Sequence, residues 1–279
     1  MTDTESVTSD ALLAAIAQGV KTVDLAQPLF NGMPCSPNHP GFKMALLRRH
    51  GDSVRPDGTS AANEIIVTGG HVGTHIDAFA HASHEGRLHG GWDSGQAQSG
   101  GRFTVHGVET ISPMVCRGVL LDVAAAHDTD CLPGGYGITA EDLDRAAHRA
   151  GAEPGPGGVC LINTGWSTWW PDPDRYLGHE TGVPGLTPSA AEWLVDHEII
   201  AAGTDTTAFE QIHPGAGHAV LPVHRMLLVD VGVHIVENLR LTDLVDLGTA
   251  VFAFVLAPLK ILGATGSPVR PLALVGGNR

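Results

Sequence analysis

The stretch His71-Val72-Gly73-Thr74-His75-Ile76-Asp77 decides how the chain is read. Even numbers of residues separate His71, His75 and Asp77, so in extended backbone all three side chains leave from one face. A helix would align His71 with His75 but rotate Asp77 off that face. Glycines at 69, 70 and 73 and the β-branched Val72, Thr74 and Ile76 also disfavour helix. The expectation is a strand that aims two imidazoles and a carboxylate at one point, with Gly73 leaving room for an ion or a substrate. That donor set suits Zn²⁺, Mn²⁺ or Fe²⁺ and leaves positions open for water and substrate. His81 follows closely enough to share the pocket, while Thr74 points to the opposite face and serves the fold.

Outward from this segment the chain alternates short apolar runs with helix signals. Strands are expected at Val20 to Leu25, Glu64 to Thr68, Gly118 to Val123, Val159 to Asn163, Ile199 to Ala202, Val233 to Glu237 and Ala250 to Leu256. The stretch between the first two reads as a Pro- and Gly-rich loop, and Ser83 to Gly107 as loop over the site. Thr139-Ala140-Glu141-Asp142 is a capping-box pattern opening a helix that stops near Gly151. Thr187-Pro188 opens a helix to about His197, and Pro222 to Val229 forms another. Strands alternating with short helices predict an α/β fold with a mixed sheet. Residues 1–22 read as an N-terminal arm with a short helix capped by Ser9, and 23–279 as a single domain.

Composition narrows the function. The formal charge is −14, from 30 acidic and 16 basic residues, which speaks against nucleic acid and anionic membrane as partners. No apolar run reaches the roughly 20 residues a membrane span needs. Cys35, Cys116, Cys131 and Cys160 form no C-x-x-C pair, and they read as buried, reduced thiols of a cytoplasmic protein. No G-x-S-x-G nucleophile elbow or phosphate-binding loop is present. Glu237 sits in an apolar strand, where a carboxylate must be paired or ligated, with Arg240 the nearest structural alternative. Trp166, Trp169 and Trp170 suggest an apolar wall for a flat substrate, or core packing. The Gly-rich loop from His213 to His218 offers further substrate contacts or a distal ligand, and Asp205 and Glu210 lie nearby.

The string HVGTHIDAFAH, His71 to His81, resembles the H-x-G-T-H-x-D-x-x-x-H signature of the cyclase family of metal-dependent hydrolases, whose members include kynurenine formamidases and isatin hydrolases. The opening VDLAQPLFNGMP resembles the family's first segment. Asn163-Thr164-Gly165-Trp166, Gly203-Thr204-Asp205-Thr206, Pro222-Val223-His224-Arg225, Ile235 to Leu239, Pro258-Leu259-Lys260 and Gly266 to Arg270 resemble its later landmarks in order. The resemblance implies a swivelling β/β/α fold and a homo-oligomer, a dimer or dimer of dimers. It implies a divalent ion, Zn or Mn, on His71, His75 and Asp77, a catalytic or second-metal role for His81, and a distal pair His224 and Glu237 that completes a second metal position or orients His81. The implied reaction is attack of water on a small amide, lactam, imide or N-formyl substrate. A lactone hydrolase, or a cyclase or lyase working through an enolate, is the alternative. Phe79 stands where the formamidases carry Pro, and His224 and Glu237 lie one residue farther apart. These departures and the Trp cluster favour an isatin-hydrolase-like ring opening, with Phe79, Trp166, His213 and His218 as substrate contacts.

Overall fold

The computed structural model describes residue 11 and residues 13–276. A nine-stranded mixed sheet organises them: β1 Val20–Asp24, β2 His75–Asp77, β3 Met114–Asp122, β4 Val159–Asn163, β5 Ala201–Thr204, β6 His234–Glu237, β7 Val251–Leu256, β8 Gly266–Pro268 and β9 Leu272–Gly276. Their order across the sheet is β1-β9-β7-β3-β4-β5-β6-β2-β8. The central run β3-β4-β5-β6 is parallel, and the pairings on either flank are antiparallel.

Continuous apolar strands appear where both faces are covered. Alternate residues divide between two cores. Val119, Leu121, Cys160, Ile162 and Ile235 pack with Leu143, Leu194 and Leu227 on one side. Leu120, Leu161 and Val236 pack with Ile76, Phe252 and Phe254 on the other. Helix α1, Ala140–Ala150, starts with the expected capping box between Thr139 and Asp142 and stops at Gly151 in the left-handed conformation. Helix α2, Pro188–Asp196, begins with Pro in its first turn, but the Thr187 hydroxyl bonds the Ile138 carbonyl rather than capping it.

Several expectations change. Only His75–Asp77 of the histidine segment is strand; residues 71–74 form a bend with Gly73 at φ +67°. Even spacing therefore does not explain why His71 converges with the other two. Lys43–Arg48 is a strand inside the stretch read as loop, and it pairs as a hairpin with Asn63–Val67, which answers the strand expected at Glu64 to Thr68. β8, Gly-Ser-Pro, and β9, Leu-Ala-Leu-Val-Gly, lie outside the expected strands. The first strand begins at Val20, so it crosses the boundary drawn between 22 and 23. Residues 13–17 are helical, but Ser9 lies outside the described residues. The helix at Pro222–His224, α3, continues as a π-helical segment, Arg225–Val231. All four cysteines are unpaired, yet only Cys160 is fully buried. Among the described residues no helix is long and apolar enough to cross a membrane.

Candidate metal centre

β2 lies between β6 and β8, so Asp77 and His75 emerge beside Glu237 from one neighbour and Gly266 from the other. Register pairs His75 with Glu237 directly. Gly266 is needed for space: a Cβ there would sit 2.5 Å from His71 Cε1. Gly73 is needed for the bend, because its positive φ suits glycine and a Cβ would strike Leu29.

His71 Nδ1 donates to Asp77 Oδ1 at 2.7 Å, and its Nε2 lies 2.9 Å from Thr265 Oγ1. His75 Nδ1 donates to the Gly73 carbonyl at 2.8 Å. Its Nε2 then bears the lone pair, and it faces Glu237 Oε2 at 3.4 Å and Asp77 Oδ1 at 3.6 Å. His224, on α3, has its Nδ1 on Glu210 Oε1 at 2.6 Å, leaving Nε2 aimed at Glu237 Oε1, 3.2 Å away, and Asp77 Oδ2, 3.8 Å away. Glu210 also accepts the backbone N–H groups of Val223 and His224, so the start of α3 is locked to this carboxylate. The His81 ring stacks on His71 with centroids 3.9 Å apart.

Burial dominates the electrostatics. It pushes His75 down to about 4 and His81 down to about 3, favouring neutral imidazoles. It pushes Glu237 up to about 7, with Asp77 adding repulsion. Burial would also raise Asp77, but His81, His71 and His75 around it hold it below the usual carboxylate range. Burial would lower His224, yet its bonds to Glu210 and Glu237 bring it up to about 10. His71 is raised because the Asp77 charge outweighs burial.

These residues fit a divalent cation. Asp77 Oδ2 is buried with no hydrogen-bond partner, and an acceptor nitrogen of His75 faces two carboxylate oxygens. Carboxylate oxygens gathered round an imidazole lone pair, one of them without a donor, favour positive charge between them. Two groups have ligand atoms close enough to share an ion, His71 with Asp77 and His81, and Asp77 with His224 and Glu237. Asp77 belongs to both. His75 belongs to neither group, but its Nε2 points at the two carboxylates.

The cluster opens into a cavity of about 200 Å³. His39, His71, His75, His81, His218 and His224 line it, and Pro34, Cys35, Val72 and Leu221 supply apolar wall. His218 is thus part of the cavity wall. His213 is exposed and is not among the lining residues. Trp166 is not there either: it is 4% exposed and packs in a core with Met33, Val72 and Tyr176, its Nε1 donating to the Tyr176 carbonyl. Phe79 points elsewhere and stacks on His234 with centroids 4.0 Å apart. Arg240 pairs with Asp243, leaving Glu237 to the histidines.

Sequence reading missed His39, which stacks on His71 from the Pro-rich loop, and Asn238. Asn238 Nδ2 donates to the Gly73 carbonyl at 3.1 Å and its Oδ1 accepts from Tyr176 Oη at 2.8 Å. Thr74 does serve the fold. Its Oγ1 accepts from the Gln27 N–H and donates to the Asn238 carbonyl. A signal for Asn238 existed in its place after a strand carboxylate, at φ +56°, which Asn tolerates better than most residues.

Known proteins resemble this chain in sequence and in fold. The sequence model of the Cyclase family matches residues 23–211. The isatin hydrolase of Roseibium aggregatum is 31% identical over 222 residues, covering 78% of this chain and 77% of that one. Among solved structures, a novel cyclase superposes with a TM-score of 0.83 at 26% identity, covering 95% of this chain and 92% of that one. Isatin hydrolase A from Ralstonia solanacearum gives 0.74 at 27% identity, covering 99% and 100%. In sequence and in fold, the chain belongs to the cyclase family.

Proposed function

We propose that the chain is a divalent-metal-dependent hydrolase that opens or cleaves a C–N bond beside a carbonyl in a small cyclic or aromatic amide, lactam, imide or N-formyl compound. The observation that carries this reading is the His75 Nε2 lone pair facing Asp77 and Glu237, beside an Asp77 oxygen with no proton donor. His71, His75 and Asp77 would hold the ion, Zn or Mn, with His224 and Glu237 offering a second position. When bound, such an ion polarises a carbonyl oxygen and makes water more acidic.

The chain's own groups do the rest. The Gly73 carbonyl, itself held by Asn238, fixes the His75 tautomer, and Glu210 fixes that of His224, as partners of a ligand imidazole's other nitrogen do elsewhere. His81 accepts the proton of the attacking water at an imidazole nitrogen. It returns that proton to the leaving nitrogen as the C–N bond breaks and the new C–O bond leaves a carboxylate. No Lys or Arg is among the cavity's lining residues, so the pocket suits a neutral substrate better than an anion. The similarity to an isatin hydrolase makes isatin, a flat lactam, the first compound to try.

The test is a hydrolysis panel of isatin, N-formyl aromatic amides and lactones in ¹⁸O-labelled water, run on metal-loaded and chelator-stripped protein. One labelled oxygen in a ring-opened lactam or cleaved amide, dependent on the metal, is the expected result. Turnover without label would sink the hydrolase reading in favour of a lyase or cyclase, and preference for lactones would replace the C–N bond with C–O.

A further inference from the structure

Thr265 lies one residue before β8, whose register pairs Gly266 with Asp77. Its carbonyl accepts the N–H of Ala78 at 2.9 Å, so its backbone is fastened to the end of the strand that carries Asp77. From there its hydroxyl sits 2.9 Å from His71 Nε2, while His71 Nδ1 sits 2.7 Å from Asp77 Oδ1. The two ring nitrogens thus face different partners. Nδ1 meets the carboxylate with which His71 could share an ion. Nε2 meets a residue outside the metal cavity: Thr265 lines a separate open groove of about 450 Å³ with Gly70, Arg102 and Gly263.

Packing holds the ring in this orientation. His39 and His81 both stack on it, with centroids 5.2 and 3.9 Å away. Gly266 passes so close that a Cβ there would come within 2.9 Å of both ring nitrogens. What Nδ1 offers is therefore decided by where the proton sits and not by a turn of the ring. A proton on Nδ1 makes the bond to Asp77. A lone pair on Nδ1 serves an ion shared with Asp77, and the neutral imidazole then carries its proton on Nε2. That N–H is largely buried and needs an acceptor, and the side-chain oxygen beside it is Thr265 Oγ1. A hydroxyl suits both tautomers, because it can donate to a bare Nε2 or accept from Nε2–H. Valine, of nearly the same shape, could do neither.

We propose that Thr265 is a positioning residue for the metal: its hydroxyl accepts Nε2–H of His71 and so presents the Nδ1 lone pair to an ion shared with Asp77. Each imidazole offered to the ion from this ring of residues then has an oxygen on its other nitrogen, Gly73 for His75, Glu210 for His224 and Thr265 for His71. The inference rests on the reading of His71 and Asp77 as ligands. It adds which nitrogen of His71 binds and what makes that nitrogen available.

Calorimetric titration of Zn²⁺ and of Mn²⁺ into the chelator-stripped full chain tests it. Thr265→Val should lower affinity by about 10- to 100-fold, the usual loss when a ligand imidazole's outer partner is removed. Thr265→Ser keeps the hydroxyl and should bind within a few-fold of the unaltered protein. In ¹⁵N spectra of histidine-labelled, zinc-loaded protein, His71 should carry its proton on Nε2, the ring being identified by the Nε2 shift that moves in Thr265→Ser. This second measurement needs only the unaltered chain and the serine variant, so it decides the matter even where Thr265→Val does not fold. Unchanged affinity in Thr265→Val, a serine variant as weak as the valine one, or a His71 proton on Nδ1 in the loaded protein would each overturn the role of Thr265 while leaving the metal site standing. An unaltered chain that takes up neither ion would overturn the metal reading itself, and this inference with it.

Discussion

Two clusters of histidines meet at strands β2 and β6, and only one of them is built as a site. His71, His75, His81 and His224 crowd around Asp77, Glu237 and Glu210. His89, His106 and His234 crowd around Phe79 instead. In the second cluster each bonded ring nitrogen donates to a backbone carbonyl: His234 Nδ1 to Asp77, His89 Nδ1 to Val229, His106 Nε2 to His89. Such rings are satisfied by backbone carbonyls and tie segments together. The first cluster turns the His75 acceptor nitrogen and carboxylate oxygens towards the same space, an arrangement that favours a cation there. Histidine count is thus no guide to function; what matters is which atoms face the nitrogens.

The largest effect should come from the one residue common to both ligand groups. Asp77→Asn removes the shared charge and should strip the protein of its divalent ion, lowering kcat/KM by about 10³-fold or more, the scale of the transition-state charge stabilisation an ion supplies. Elemental analysis checks the metal and a rate assay the turnover. His106→Ala, in the other cluster, should retain full metal content. If both variants kept their metal, or His106→Ala alone lost it, the distinction between the clusters would be wrong. His81→Gln comes next: kcat should fall by about 10²- to 10⁴-fold, the range for a lost general acid–base, with metal retained by the other ligands. Metal lost along with the rate would make His81 a ligand instead.

Much of this was legible in the sequence, for reasons that differ by residue. Asp77 and His75 share a strand face and could be placed by period alone. His71 could not, since it reaches the cluster through a bend that Gly73 and Gly266 make possible, and no local periodicity encodes the clearance at Gly266. The parallel central strands announced themselves as apolar runs because both faces are buried. The strand at Lys43–Arg48 did not, because it is exposed along its whole length and carries no alternating apolar pattern. His39 lies far from the motif in sequence, and only tertiary packing stacks it on His71. Glu210 was visible as an acidic residue after a buried strand, but its bond to His224 depends on where α3 begins. Glu210→Gln tests that link. The amide cannot supply the charge that fixes the His224 tautomer, so affinity for a divalent ion should fall by about 10- to 100-fold, measured by calorimetric titration of the metal into stripped protein. Unchanged affinity would confine Glu210 to locking the start of α3.

The smallest effect concerns Phe79, which sequence placed against the substrate and the structure places against His234. Their rings are nearly coplanar in orientation, 3° apart, with centroids separated by 4.0 Å. His234 in turn donates to the carbonyl of Asp77 at 2.9 Å, so the stack braces the ligand strand from behind. Phe79→Leu keeps an apolar side chain of similar bulk and loses the ring–ring contact, a cost of about 0.5–1.5 kcal/mol. The expected result is a Tm lower by a few degrees, with KM for the best panel substrate within about twofold of the original, because the ring is not part of the cavity wall. A tenfold rise in KM at unchanged Tm would put Phe79 back beside the substrate. It would also mean that the cavity extends past His81 towards the second histidine cluster, and the separation between a metal-facing and a carbonyl-facing set of imidazoles would then fail at its boundary.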